Sequence, residues 1–240
     1  MNYRKYHLLI LLAALLLFFS VSCRKNKCIE GNYDLVSETR SLGPFHGVIS
    51  EGSFHINIEL DTNSEVTIEA ESNLLDYITT NIKGTNLIIK VRDNRCIDNN
   101  FPIEIKVKTP SVSKLSMEGS GDIYCNGIQT DNLNINISGS GDIDAGANAK
   151  NMNANISGSG VITLWGATDE SDFSINGSGS IRSYGLVQDS CYATISGSGS
   201  MYVFVNDLLD VWISGSGSVY YKGNPYVKAN ISGSGMIVHQ

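Results

Sequence analysis

Seven copies of the tripeptide Gly-Ser-Gly recur through the second half of the 240-residue chain. The copies begin at Gly119, Gly139, Gly158, Gly177, Gly197, Gly215 and Gly233. Successive copies are 20, 19, 19, 20, 18 and 18 residues apart. A unit of this length forms two or three short strands, but one copy is too small to bury its own apolar face. The repeat therefore predicts coils of about 19 residues that stack on one another.

The residues on either side of each tripeptide alternate between apolar and polar. The apolar positions two residues before the first glycine are Met117, Ile137, Ile156, Ile175, Ile195, Ile213 and Ile231. A second apolar column lies two residues after the second glycine, from Ile123 to Ile237. Alternation with a period of two predicts strands with one buried and one exposed face. Both glycines share the buried parity, which indicates a bend or a close approach of two backbones.

Stacked coils of this kind predict an all-β protein, a right-handed parallel β-helix. Equivalent side chains on neighbouring coils then lie about 4.8 Å apart. The right hand is favoured because parallel crossover connections are strongly biased toward it. A left-handed β-helix requires an apolar residue at every sixth position, and Thr168, Asp207 and Pro225 do not meet that requirement.

The chain before the repeats divides into three predicted segments. Residues 1–22 are predicted to be a lipoprotein signal peptide, because Arg4 and Lys5 precede an apolar run that is too short to span a bilayer. Residues 23–42 are polar and are predicted to be a tether. Residues 43–110 contain short alternating bursts, which predict either an N-terminal β cap or irregular early coils. Residues 111–240 form the predicted β-helix.

Five cysteines bear on location and cross-linking. Ser20-Val21-Ser22-Cys23 resembles the lipobox of bacterial lipoproteins, in which the cysteine is lipidated. That resemblance implies export and a lipid anchor in the outer membrane, on either its periplasmic or its surface side; a cleaved signal with an incidental Cys23 is the alternative. The other four cysteines allow three pairings. Cys28 and Cys96 form the favoured bridge because both precede the repeats, whereas Cys125 follows the buried parity.

The order of motifs resembles a known family over roughly residues 41–230. The motifs are Phe45-x-Gly47, Phe54-His55-Ile56-Asn57-Ile58, Asn73-Leu74-Leu75, Asn86-Leu87-Ile88-Ile89, Lys114 to Gly121 and the recurrent Ile-Ser-Gly-Ser-Gly. They are similar to those of the head GIN domain family, described as putative auto-transporter adhesins. The resemblance implies a secreted or lipid-anchored β-helical protein, and it carries over no catalytic residue.

Charged residues give little support for chemistry. The formal net charge is −7, and an acidic chain without basic clusters argues against a nucleic-acid partner. Asp122 and Asp142 occupy the same column on adjacent coils, with Asp144 two residues further on, so their oxygens are candidates for binding Ca²⁺. The same carboxylates suggest an alternative, a Ca²⁺-dependent polysaccharide-active enzyme. Its constellation is incomplete, because Arg182 stands two coils from Asp144.

Aromatic residues crowd the last three coils. The alternation predicts that Tyr202 and Tyr220 stack in one outward column and that Trp212 lies in another. Exposed aromatic ladders stack on sugar rings or anchor protein partners, although rings of this kind also pack beneath corners. We therefore expect a non-enzymatic cell-envelope lipoprotein, an adhesin or binding module for a glycan or protein. A structural envelope protein without a ligand is the remaining alternative, and the oligomeric state is left open.

Overall fold

The computed structural model describes residues 28–240. The predicted signal peptide and Cys23 lie outside the described residues. Within residues 28–240 the regular structure is strand, apart from two 3-10 turns at Leu75–Tyr77 and Arg92–Asn94. None of the helical turns within these residues is long and apolar enough to cross a membrane.

The strands are numbered in chain order. They are β1 Ile29–Glu30, β2 Leu35–Ser41, β3 Gly47–Gly52, β4 His55–Leu60, β5 Glu65–Glu71, β6 Ile78–Lys83, β7 Asn86–Val91, β8 Ile97–Asp98, β9 Glu104–Thr109, β10 Lys114–Gly119, β11 Asp122–Gly139, β12 Asp142–Gly158, β13 Val161–Gly177, β14 Ser180–Gly197, β15 Ser200–Gly215, β16 Ser218–Lys222, β17 Tyr226–Gly233 and β18 Met236–His239.

From β10 onward each strand pairs in parallel with the equivalent strand of the next coil. Ile137 pairs with Ile156, and Ile156 with Ile175. All three side chains are buried, because the alternation directs one apolar column into the space that the coils enclose. The prediction of a parallel β-helix with coils of about 19 residues is confirmed.

The first glycine of each tripeptide both bends the strand and lies against a neighbouring backbone. Its φ is positive in all seven copies, between 120° and 146°, a range that side-chain-bearing residues rarely adopt. A Cβ at Gly158 would also collide with the carbonyl oxygen of Gly139 on the preceding coil. The two interpretations of the sequence pattern, a bend and a close approach, therefore both hold.

The β-helix begins before residue 111, where the sequence analysis placed its start. β3 and β4 pair in parallel with β10 and β11, and β7 and β9 continue the stack beneath them. The chain thus visits these layers out of order, with residues 47–60 lying between residues 86–109 and the first repeat. Antiparallel strands complete this end: β6 pairs with β7, β5 with β9 and β2 with β5. Residues 43–110 therefore contain both irregular early coils and an antiparallel cap.

The predicted tether at residues 23–42 is wrong for its described part. β2 pairs along its whole length with β5, and β1 pairs with β8. The segment is polar because its outward residues face solvent. The prediction failed because the strand that pairs with β2, β5, lies in a distant part of the sequence. The favoured bridge between Cys28 and Cys96 is confirmed and fixes the start of this segment. Cys125 and Cys191 are free and buried, and burial raises the pKa of each thiol to about 12.

Candidate functional site

The outward residues after each tripeptide form a ladder on one face of the β-helix. In-register pairing places Tyr124, Asp144, Thr163, Arg182, Tyr202 and Tyr220 in one column. Since neighbouring positions are about 4.8 Å apart, aromatic residues on consecutive coils meet face to face. The rings of Tyr202 and Tyr220 stack as the alternation predicts, with centroids 5.0 Å apart and planes inclined by 10°.

Tyr184 extends this ladder from an irregular part of β14. The pairing of β14 with β15 shifts register between Ser183 and Val187, and irregularities of this kind re-aim side chains. The Tyr184 ring meets Tyr202 edge to face, with centroids 5.6 Å apart. Its hydroxyl donates to Gln240 Oε1 at 2.8 Å, and Lys222 Nζ lies 4.5 Å from its ring centroid. These contacts hold the ring in place, and partial burial raises the pKa of Tyr184, so its hydroxyl is neutral at pH 7.

Trp165 adds an indole ring to the same surface. It pairs with Gly146 on one neighbouring coil and Gly185 on the other. Its Nε1–H donates to Asn126 Oδ1, two coils away, at 3.3 Å, and its ring lies 6.1 Å from that of Tyr124. A side chain at Gly146 would collide with this indole, so the glycine is what allows the ring to lie across the coils. We call Tyr124, Trp165, Tyr184, Tyr202 and Tyr220 the aromatic face.

A cleft opens within the aromatic face. Its volume is about 320 Å³, and it is lined by Thr163, Leu164, Trp165, Arg182, Tyr184, Gly185 and Tyr202. Gly185 leaves the space beside Trp165 free of a side chain. The atoms that face the cleft are almost all apolar, so Arg182 contributes its aliphatic stem to the wall, and its exposed guanidinium lies outside it. The cleft therefore suits the apolar face of a ring whose acceptor or anion stays at the edge of the cleft. We call this the aromatic cleft.

Trp212 does not join Tyr202 and Tyr220. It precedes the Gly-Ser-Gly corner and pairs with Thr194 and Asn230, so it lies on a different face of the coil. Its side chain is 57% exposed. We call the face before the corner the polar face, because it carries ladders of asparagine side chains. The Asn151 amide donates a hydrogen bond to Asn132 Oδ1 at 3.0 Å, and the Asn155 amide donates one to Asn136 Oδ1 at 3.2 Å. The three predicted binding residues thus occupy two surfaces.

The predicted calcium ligands are adjacent, but two of the three carboxylates already interact with other groups of the protein. Asp122 and Asp142 pair in register. Asp122 Oδ2 lies 2.7 Å from Nδ1 of His55, and Asp142 Oδ1 accepts the backbone N–H of Val161 at 2.9 Å. Among residues 28–240 no group of three potential metal-ligating side chains is placed to hold a metal ion. Calcium binding at Asp122, Asp142 and Asp144 stays a prediction.

A larger depression lies where the coils turn near residues 130, 149, 168 and 188. Its volume is about 690 Å³. Three of its four charged side chains already have partners, since Lys150 Nζ lies 2.7 Å from Asp131 and Asn206 donates to Asp189 at 3.2 Å. The aromatic cleft, with an exposed cation and several rings, is the better-equipped site.

Sequence reasoning found part of this site. The alternation identified Tyr202 and Tyr220 as neighbours. It did not identify Trp165, because the indole reaches the site across two coils, or Tyr184, because this residue stands in a register shift. The glycines at 146 and 185, which share a column with Trp165, were the one available signal.

A parallel β-helix of stacked coils with exposed side-chain ladders defines a solenoid repeat protein. The family model described as "Putative auto-transporter adhesin, head GIN domain" matches residues 44–225, and the chain belongs to this family. The predicted resemblance is confirmed, and family membership supports an adhesin-like role in the cell envelope or at the cell surface.

Solved structures of similar fold come from Bacteroides and Parabacteroides species. A putative adhesin from Bacteroides fragilis is 24% identical, with a TM-score of 0.83 over 88% of this chain and 100% of its own. A putative lipid binding protein from Parabacteroides distasonis is 24% identical, with a TM-score of 0.74 over 89% and 100%. A putative adhesin from Parabacteroides merdae is 22% identical, with a TM-score of 0.72 over 88% and 98%. At these identities the likeness establishes the shared fold. No curated protein matches the chain.

Proposed function

We propose that the protein is a non-enzymatic, lipid-anchored adhesin-like module that binds glycans through its aromatic face. The observation that carries the proposal is the run of outward-facing rings around the aromatic cleft. Aromatic rings offer the apolar faces of sugars a large, rigid contact surface at low entropic cost. Membership of an adhesin family supports the same role.

The rings are not needed to build the β-helix. Asp144 and Thr163 occupy the same column as Tyr202 and Tyr220, and their coils stack in the same register. The core is formed by the opposite parity, as at Ile143, Ile162 and Met201. An aromatic residue in an outward column therefore contributes surface rather than core, which favours a binding role over a purely structural one.

The proposed anchor suits this arrangement. Cys23 precedes the Cys28–Cys96 bridge, which joins the chain to the segment between β7 and β9 at the capped end of the β-helix. Five steps of about 4.8 Å separate the β9 layer from Arg182 in the cleft, or about 24 Å. An acylated Cys23 would hold the capped end near the bilayer and the aromatic cleft away from it. Cys23→Ala is expected to move the protein from the membrane fraction to the soluble fraction; retention in the membrane would contradict the anchor.

The function is tested by removing rings from one face at a time. Tyr202→Ser with Tyr220→Ser, in one protein, is expected to weaken binding to an immobilised glycan array at least about fivefold, since each lost stacking contact contributes about 0.5–1.5 kcal/mol. Trp212→Ser on the polar face is the matched control and is expected to bind as the unaltered protein does. Equal binding by all three proteins would rule out the aromatic face, and loss with Trp212→Ser alone would assign binding to the polar face.

A further inference from the structure

Arg182 is a free cation at the aromatic cleft. Its side chain is exposed, and in its column it stands between Thr163 and Tyr202. None of the six ion pairs of residues 28–240 includes it. The carboxylate of its own column, Asp144, is two coils away, or about 10 Å. The guanidinium therefore keeps its donors available to a ligand.

Arg40, in contrast to Arg182, makes contacts that stabilise the fold. Its guanidinium contacts Glu38 at 2.6 Å and donates to the carbonyl oxygens of Ile78 at 2.7 Å and Leu75 at 3.2 Å. It thereby ties β2 to the turn that precedes β6. Arg182 has no comparable task in the fold, so its position beside the cleft calls for another explanation.

The neighbours of Arg182 define the shape and charge of a ligand. Trp165, Tyr184 and Tyr202 line the cleft beside the stem of Arg182, which suits a ring with an apolar face. A guanidinium presents two parallel N–H donors that match a carboxylate in bidentate geometry. Lys222 adds a second positive charge, since its Nζ lies 4.5 Å from the centroid of the Tyr184 ring.

The negative net charge of the chain does not prevent a local attraction between Arg182 and an anionic ligand. The formal net charge is −7, which repels an anion at long range. At physiological ionic strength, interactions between exposed charges are screened over about 8 Å. Charges on distant coils are therefore felt weakly at the cleft, whereas Arg182 acts at contact distance.

We infer that the aromatic cleft selects acidic glycans, in which a sugar ring packs against the aromatic walls and its carboxylate is bound by Arg182. The inference rests on the proposed glycan-binding function and names its substrate class. The ligand is a uronic-acid or sialic-acid unit, both of which combine a ring with a carboxylate.

The two tryptophans of the chain make the test direct. Trp212→Phe leaves Trp165, in the cleft, as the only indole. This variant is titrated with trigalacturonate against its carboxyl-reduced form, and with sialyllactose against lactose, following both fluorescence and heat of binding. At least one acidic probe is expected to change Trp165 fluorescence and to bind about tenfold or more tighter than its neutral partner, as one charge-assisted pair contributes.

Substitutions of Arg182 and Lys228 distinguish a local contact with the ligand from an effect of the protein's net charge. Arg182→Gln is expected to reduce the affinity for the acidic probe to about that for the neutral one, with the thermal midpoint unchanged. Lys228→Gln removes the same charge from exposed β17 and is expected to have no effect. Equal affinity for acidic and neutral probes would overturn the acid selectivity and leave glycan binding in place. No binding of any probe would overturn both, and equal losses in the two variants would overturn the role of Arg182.

Discussion

At the scale of single residues, the glycine that opens each repeat determines whether coils stack at all. Gly158 combines a φ of 134° with a backbone neighbour, Gly139, in the space that a Cβ would occupy. The alternation in the sequence identified this position correctly, because a bend and a close approach both require a glycine in the register of the buried column, although Gly158 itself is half-buried. It did not reveal that both requirements operate together, since φ depends on how neighbouring coils meet.

Gly158→Ala is expected to lower the free energy of unfolding by at least about 2 kcal/mol, because the strained φ and the collision add together. Ser159→Ala, at the exposed neighbouring position, is the control and is expected to change it by less than about 0.5 kcal/mol. Urea denaturation measures both. Equal stability of the two variants would contradict the close approach of successive coils.

At the scale of elements, pairing between distant strands is what the sequence predicted least well. The strands of residues 43–110 were predicted from their alternation, but not the order in which they stack. No 19-residue register links β3, β7 and β10, and the partner of β2 lies in β5. The same limit applies to the site. Tyr202 and Tyr220 follow from a regular repeat, whereas the cleft depends on the register shift at Tyr184 and on the path of Trp165 across Gly146.

Glu71 joins several of these distant elements. Its buried carboxylate accepts the backbone N–H of Tyr33 at 2.7 Å, and both the backbone N–H and the side-chain amide of Asn100 at 2.8 Å. Burial alone would raise the pKa of Glu71, but these hydrogen bonds outweigh it and lower the pKa. The carboxylate thus fastens the N-terminal segment to the loop before β9.

Because the pKa of Glu71 is lower in the folded protein, the stability that this carboxylate contributes decreases as the pH falls. The stabilisation by Glu71 is complete above its unfolded pKa of about 4.3 and is lost as pH falls toward the folded value. The stability difference between the unaltered protein and Glu71→Gln, measured by urea denaturation, is therefore expected to be largest at pH 6–7 and to shrink below about pH 4. A difference that grows on acidification would contradict this role of the carboxylate.

At the scale of the whole molecule, the protein is a stack of coils with an antiparallel cap at one end. In the column that contains Arg182, nine positions run from Lys106 to Val238, so eight steps of about 4.8 Å span about 38 Å. The antiparallel cap and the disulfide lie at the end where the N-terminal segment joins. The aromatic cleft lies in the opposite half, on coils that differ from the rest mainly in their outward residues. A stable scaffold with one specialised face suits a protein that presents a binding surface.

The central claim is that this specialised face, rather than the polar face, binds the ligand. A crystal structure of the protein with the tightest-binding acidic oligosaccharide tests it most directly. The account predicts a sugar ring against Trp165 and Tyr202 with its carboxylate on Arg182. A sugar bound instead beside Trp212 and the asparagine ladders, with the aromatic cleft empty, would contradict it.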